Sequence, residues 1–442
     1  MTPPLKRELQ QQLFTSEDAV EGLSACVEKR SADPPTSQTG DLPAFMSAAP
    51  RQPRILFLTQ LYPPVFGGGA RFLSSLRRIL TRQGFETVVV TGNRGITSVL
   101  EPNVSRVPTP GGERFARLGA YSYALLSPAL LLAHARRYDI IHTLGNAHAV
   151  YSSILAARLL GKKVVIGSVQ NRDDDPGGIL QERFGRLKNW LFSRADRFIC
   201  CNSYQVGAYA DAGYPAEKVR FILNGIDTSR FFPSDSPQAK AALRKKLGLP
   251  TQGFVLLSIG AIIHRKGMDL LAEAWSRFRA EGGRGTLALV GPQSSQDPGS
   301  GVDDSFVRDL KESLERNRAD ESVIFTGKVD NVPEYLRAAD AFALMSRGEG
   351  FPFALLEAMS SGLPFLMWNL PDYGGYALTD QVHGFLLPPF DTQLLARKLA
   401  TLAGSAETTL RMGAEARRLA SSLDIERCAA EHIKLYLELV AT

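Results

Sequence analysis

The sequence predicts an α/β protein of two doubly wound domains that face a shared cleft. Three observations carry this expectation. The chain has 442 residues, too many for one ordinary domain, and 44% of them are apolar, enough for sizeable cores. Short apolar runs alternate with segments of helical period, the signature of parallel strands joined by right-handed helical crossovers. The alternation also comes in two series, which meet near residue 232.

Residues 1–50 are polar and rich in Ser, Pro and Thr, and read as a mobile extension with a short helix near 16–28. The first domain is predicted over 51–232. It opens on the strand Arg54–Gln60, followed by a helix over Ala70–Gln83 that Gly84 stops, and by the strand Thr87–Thr91. Strands then follow at Asp139–Thr143, Lys163–Gly167, Arg197–Cys201 and Val219–Leu223, the last ending in the turn Asn224-Gly225-Ile226-Asp227. The second domain, 233–424, repeats the scheme with strands at Phe254–Gly260, Thr286–Gly291, Val323–Gly327, Ala341–Ser346 and Pro364–Trp368. An amphipathic helix over Ser422–Val440 closes the chain.

Several classes are excluded. The start, MTPPLKRELQQQ, has no apolar core of signal-peptide length. No 18-residue apolar run exists, since Ala120–His134 is broken by Tyr, Ser and Pro128, so a cytoplasmic protein is expected. Cys26, Cys200, Cys201 and Cys428 lack CxxC spacing and read as free thiols, and the six histidines form no metal motif.

Doubly wound domains bind ligands at the carboxyl ends of their strands, so the loops there hold the chemistry. The strongest constellation is Glu349-Gly-Phe-Pro-Phe-Ala-Leu-Leu-Glu357, after the strand AFALMS. A helix starting near Pro352 would aim the free N–H groups of Gly350, Phe351 and Phe353 at an anion. Two carboxylates there can accept hydrogen bonds from ribose or hexose diols, and Glu357, set within ALLEAM, would be costly as an unpaired charge. His264-Arg265-Lys266-Gly267 follows the strand FVLLSIG, where Lys266 and Arg265 can neutralise a diphosphate. Gly67-Gly68-Gly69 permits close backbone approach to a ligand but lacks the third glycine and the later carboxylate of a dinucleotide site. The run Arg172-Asp-Asp-Asp-Pro176 contains an Asp-x-Asp, read as an exposed acidic loop near the cleft rather than a metal site.

From about residue 54 to 440 the chain resembles the GT-B glycosyltransferases, specifically the retaining group called family 4. The residues that carry the resemblance are ILFLTQLYPPVFGGGARFLSSLRRILTRQGFETVVVTG, YDIIH, ILNGIDTSRFFP, RKGMDLLAEAW and VIFTGKVDNVPEYLRAADAFALMSRGEGFPFALLEAMSSGLPF. It implies two Rossmann-like domains, an acceptor-binding first and a nucleotide-sugar-binding second, with residues 425–442 crossing back to the first. It also implies metal-independent transfer with retention, without a cofactor. By the same resemblance, Glu357 holds the donor ribose, Glu349 meets the transferred sugar, Lys266 meets the diphosphate, and Gly68 and Gly69 face the reaction centre. Two departures stand out. Ala261 replaces an arginine common after the first strand of the second domain, a cation that Arg265 can supply. Val169-Gln170-Asn171-Arg172 lacks a histidine common there, leaving Gln170, Asn171 or Asp173 as the acceptor-side polar group.

The formal net charge is +6, but residues 51–230 alone carry 24 basic against 12 acidic residues. The excess lies on the predicted acceptor domain, so it points to an acidic or membrane-borne acceptor, with an anionic membrane surface as a partner. Nucleic acid thereby loses its support. The expectation is a hexosyltransferase that moves sugar from a nucleoside diphosphate donor to a hydroxyl of a glycan or lipid-linked glycan. The alternatives are an impaired sugar-nucleotide-binding scaffold, suggested by Ala261, and a GT-B epimerase or phosphorylase.

Overall fold

The computed structural model describes residues 51–64, 67–92, 101–109, 116–145, 149–297 and 300–441. The extension 1–50 and the helix expected near 16–28 lie outside the described residues. Gln52–Thr442 form one unit with two lobes, each built on its own parallel sheet.

The first lobe runs β1 (Ile55–Thr59), α1 (Gly68–Arg82), β2 (Thr87–Gly92), β3 (Val104–Val107), α2 (Ala116–Ala133), β4 (Ile140–Leu144), α3 (Ala149–Leu159), β5 (Lys163–Gly167), α4 (Pro176–Gln181), α5 (Gly185–Phe192), β6 (Arg197–Cys200), α6 (Ser203–Asp211) and β7 (Val219–Phe221). Its strand order is β3-β2-β1-β4-β5-β6-β7. β1 and β2 are buried throughout, as strands covered on both faces must be.

The second lobe runs α7 (Pro237–Lys246), β8 (Val255–Ile259), α8 (Met268–Ala280), β9 (Thr286–Val290), α9 (Asp304–Arg316), β10 (Val323–Gly327), α10 (Val332–Ala338), β11 (Ala341–Leu344), α11 (Phe353–Ser360), β12 (Phe365–Trp368), β13 (Gly384–Leu387), α12 (Thr392–Gly404) and α13 (Ala406–Ser422). Its order, β10-β9-β8-β11-β12-β13, repeats that of the first six strands of the other sheet. Each sheet therefore reverses direction at one place, between β1 and β4 and between β8 and β11. Such reversals leave a crevice at the strand ends.

The last helix, α14 (Ile425–Ala441), does not join the second lobe's core. Its Ile425, Cys428, Leu435, Tyr436 and Leu439 pack with α1 against β1 and β4 of the first sheet. The opposite face of that sheet is covered by α2, α3, α5 and α6, through Tyr123, Ile154, Phe192 and Tyr209. The chain thus crosses between lobes twice. The two crossings are tied together: Ile226 N–H donates to the Leu423 carbonyl (2.9 Å) and Ile425 N–H to the Ile226 carbonyl (3.0 Å).

Two strands went unread in the sequence, β3 and β13. Both lie at sheet edges, and each has four residues.

Candidate active site

The reversal points decide what meets in the cleft. Loops leave the carboxyl ends of β1, β8 and β11 there, and they contain Gly67-Gly68-Gly69, Arg265-Lys266 and Glu349-Gly350 respectively. All of these line one cavity of about 600 Å³, together with Gln170, Ala261, Phe351, Pro352 and Phe353. That volume suits a ligand of nucleotide-sugar size.

Glu349 sits at the centre of a charged cluster. It is buried, at 9% exposure, and accepts a hydrogen bond from Ser346 Oγ (2.6 Å) on Oε1. Lys266 Nζ is ion-paired to the same oxygen, and Arg265 Nη1 lies 3.5 Å from Oε2. Burial by itself pushes the Glu349 carboxyl up, but the charges of Lys266 and Arg265 and the hydrogen bonds from Lys266 and Ser346 outweigh it and hold it below the usual range. The Lys266 stem crosses Gly260, where a β-carbon would lie 3.4 Å from Lys266 Cε. Gly267 (φ +66°) turns the loop tightly against β11: a β-carbon there would fall 1.9 Å from the Met345 carbonyl oxygen.

Glu357 does not line the cavity. It sits on α11 one turn beyond Ala354, which does, and is only 3% exposed, so it is no solvated helix face. Arg71 of α1 reaches across from the first lobe, its Nη2 3.3 Å from Glu357 Oε1. Oε2 is buried without a hydrogen-bond partner among the described residues. Burial raises the Glu357 carboxyl, and the charges of Arg71 and Arg230 only partly offset it.

The N–H array expected at the α11 start is altered in one place. Pro352 caps the helix rather than beginning it, and the Phe353 N–H is spent on the Phe351 carbonyl (3.0 Å). The Phe353 ring instead packs on Phe351 and Phe72, bridging the lobes. Gly68 makes room for it, since a β-carbon there would lie 2.6 Å from Phe353 Cδ2. Gly350 is pressed equally hard against the first lobe, where a β-carbon would fall 1.8 Å from the Val169 carbonyl oxygen.

Of the three acceptor-side candidates, Gln170 and Asn171 separate. Gln170 is exposed and lines the cavity. Asn171 is buried and does not line it: its Oδ1 accepts from Asn202 Nδ2 (2.9 Å), which also donates to the Gly350 carbonyl (2.8 Å). The acidic run is also corrected, for only Asp173 is exposed. Asp174 accepts from the N–H groups of Val169 and Gln170, and Asp175 from those of Arg172 and Gly178. Their carboxylates are consumed in shaping the loop. Among the described residues no group of three His, Cys, Asp or Glu is placed to hold a metal ion. Arg71, Ser346 and Asn202 were missed as site residues, because nothing local marks them and each acts through a partner distant in sequence or a loop turn.

The chain has the GT-B fold and belongs to the glycosyltransferases of family 4. A model described as Glycosyltransferase Family 4 matches residues 66–230, and one described as Glycosyl transferases group 1 matches 253–405. The chain is 31% identical over 266 residues to the D-inositol 3-phosphate glycosyltransferase of Salinispora arenicola, a stretch covering 57% of this chain and 56% of that protein. It is 26% identical over 344 residues to the alpha-monoglucosyldiacylglycerol synthase of Streptococcus pneumoniae, covering 75% of each. HepE of Anabaena, solved in complex with UDP-glucose, superposes with a TM-score of 0.68 at 22% identity, over 87% of this chain and 99% of that one.

Proposed function

We propose that the protein transfers a hexose from a nucleoside diphosphate sugar to a hydroxyl of a glycan or lipid-linked glycan, with retention at the anomeric carbon and without a metal. One observation carries the reading: a buried carboxylate, Glu349, held by Lys266 and Arg265 at the point where the second sheet's reversal faces Gly68 and Gly69.

As the glycosidic bond to the diphosphate breaks, negative charge grows on the leaving oxygens. Lys266 and Arg265 meet that charge from fixed positions, the task a metal ion performs in other sites. Glu349 keeps both cations in the cleft and accepts a hydroxyl of the sugar. Glu357 offers its unpartnered Oε2 to the donor ribose once Arg71 yields or shares Oε1. Gln170 supplies a polar group on the acceptor side. No side chain in the cleft is required as a covalent nucleophile if the acceptor attacks from the face that the leaving group vacates.

The named relatives fit this reading: one is a D-inositol 3-phosphate glycosyltransferase and another an alpha-monoglucosyldiacylglycerol synthase, while the structural neighbour was solved with UDP-glucose. The test is donor-dependent transfer. Thermal-shift screening against UDP-, GDP- and ADP-sugars should select one base. The selected donor should then release nucleoside diphosphate in the presence of EDTA, and NMR of the product should show the donor's anomeric configuration. Loss of turnover in EDTA, or inversion, overturns the corresponding part.

A further inference from the structure

We infer that the helical face formed by α2, α3, α4 and α5 of the first lobe is a docking surface for an anionic phospholipid bilayer. Of the sixteen large apolar side chains exposed among the described residues, ten lie between Tyr121 and Trp190 on this layer, and the other six are scattered. Monomeric surfaces carry isolated exposed leucines, but a cluster marks an interaction site. Along α2, Tyr121, Leu125 and Leu132 fall on one stripe. Leu159 of α3 is 86% exposed, and Leu187 and Trp190 of α5 stand out on the neighbouring helix.

Arg158, Arg183, Arg186 and Arg194 are exposed among these side chains. Residues 116–197 hold twelve basic and six acidic residues. Of the six acids, Asp174 and Asp175 are buried in the loop, Glu182 pairs with Lys188, and Asp196 lies 3.8 Å from Arg158. The Arg194 guanidinium lies 4.6 Å above the Trp190 ring, and that of Arg183 5.1 Å above Phe184. An aromatic ring under a guanidinium, flanked by leucines, suits the boundary between acyl chains and anionic headgroups. A second copy of this chain is the poorer occupant, because it would set arginines against arginines. No helix among the described residues is long and apolar enough to cross a membrane, so the contact is with the surface.

The face adjoins the cleft through one short loop. Gln170 and Asp174, on the loop that leads from β5 to α4, line the cavity. A docked bilayer would therefore present a lipid-anchored hydroxyl beside the reaction centre, a consequence that rests on the proposed transfer reading.

The experiment uses the full chain and vesicles, with neither donor nor acceptor. Trp190 reports directly, since it is 55% exposed while Trp275 and Trp368, the remaining tryptophans, are fully buried. Vesicles with one-third phosphatidylglycerol should co-sediment the protein and shift its tryptophan emission to the blue. Phosphatidylcholine vesicles should bind it at least tenfold more weakly. Trp190→Phe should abolish the spectral shift, and Leu159→Glu with Leu187→Glu should weaken vesicle binding at least tenfold while donor-induced thermal shifts stay unchanged. Absence of binding, or binding indifferent to these variants, overturns the surface. So does a concentration-dependent dimer that the double variant dissolves. Lost vesicle binding with intact turnover removes only this inference, whereas vesicle binding without turnover removes only the transfer reading.

Discussion

Glu357 and Glu349 sit eight residues apart and obey opposite electrostatics. Glu349 is ionised cheaply because Lys266 and Arg265 outweigh its burial. Its folded-state pKa is depressed, so its stabilising contribution is present above the unfolded value and is lost as pH falls through the folded one. Lys266→Ala removes a principal opposing charge and leaves the burial in place. We expect kcat to fall about 10² to 10³-fold, with the acid limb of the kcat pH profile displaced upward; an unmoved limb would show that Lys266 does not govern the carboxylate. Glu357 has a raised pKa, so ionising it at neutral pH costs stability. Glu357→Gln should therefore keep or raise Tm while weakening donor affinity about tenfold or more, the range of a lost hydrogen bond to a charged group. Calorimetry and donor titration on the same sample separate the two effects. A lowered Tm with unchanged affinity would make Glu357 a structural residue.

At the scale of elements, helix α14 is held by groups that must stay neutral. His142 Nδ1 on β4 and the Tyr436 hydroxyl are hydrogen-bonded at 2.6 Å, and His432 stacks 5.7 Å from His142. Burial lowers both imidazoles, His432 to about 4. Because the unfolded chain binds these protons first, stability should decline as pH drops from about 6.5 and level off below about 4 for His432. Tm measured across that window should flatten in His432→Phe, and an unchanged slope would remove these histidines from the acid response. None of this was readable in the sequence, where the six histidines showed only the lack of a metal spacing. The strands β1, β5 and β8 were legible because buried parallel strands are continuous apolar runs, and Glu349, Lys266 and Gly68 were legible because strand-end loops of such folds meet at one cleft. Asn171 was misplaced for a related reason. A polar residue after a strand can face a ligand or bind another loop, and only Asn202, 31 residues onward, decides the matter. The same holds for Arg71, whose carboxylate partner lies in the other lobe.

For the whole molecule, glycine governs several of the places where the lobes meet. A β-carbon on Gly225 would fall 2.5 Å from Ile425 Cα, directly where the two crossings are tied. Gly225→Val should lower Tm and open the 222–236 segment to limited proteolysis; an unaltered cleavage pattern would show that the tie is slack. The charge split also has its place at this scale. The cleft holds a few local cations, while the excess of the first lobe is spread over α1, which has Arg71, Arg77, Arg78 and Arg82, over α5, which has Arg186 and Lys188, and over the loops between elements. The tie itself has a mechanical meaning. The Asp424–Ile226 bridge locks the two crossings together, and the Arg71–Glu357 pair joins the lobes at a second point.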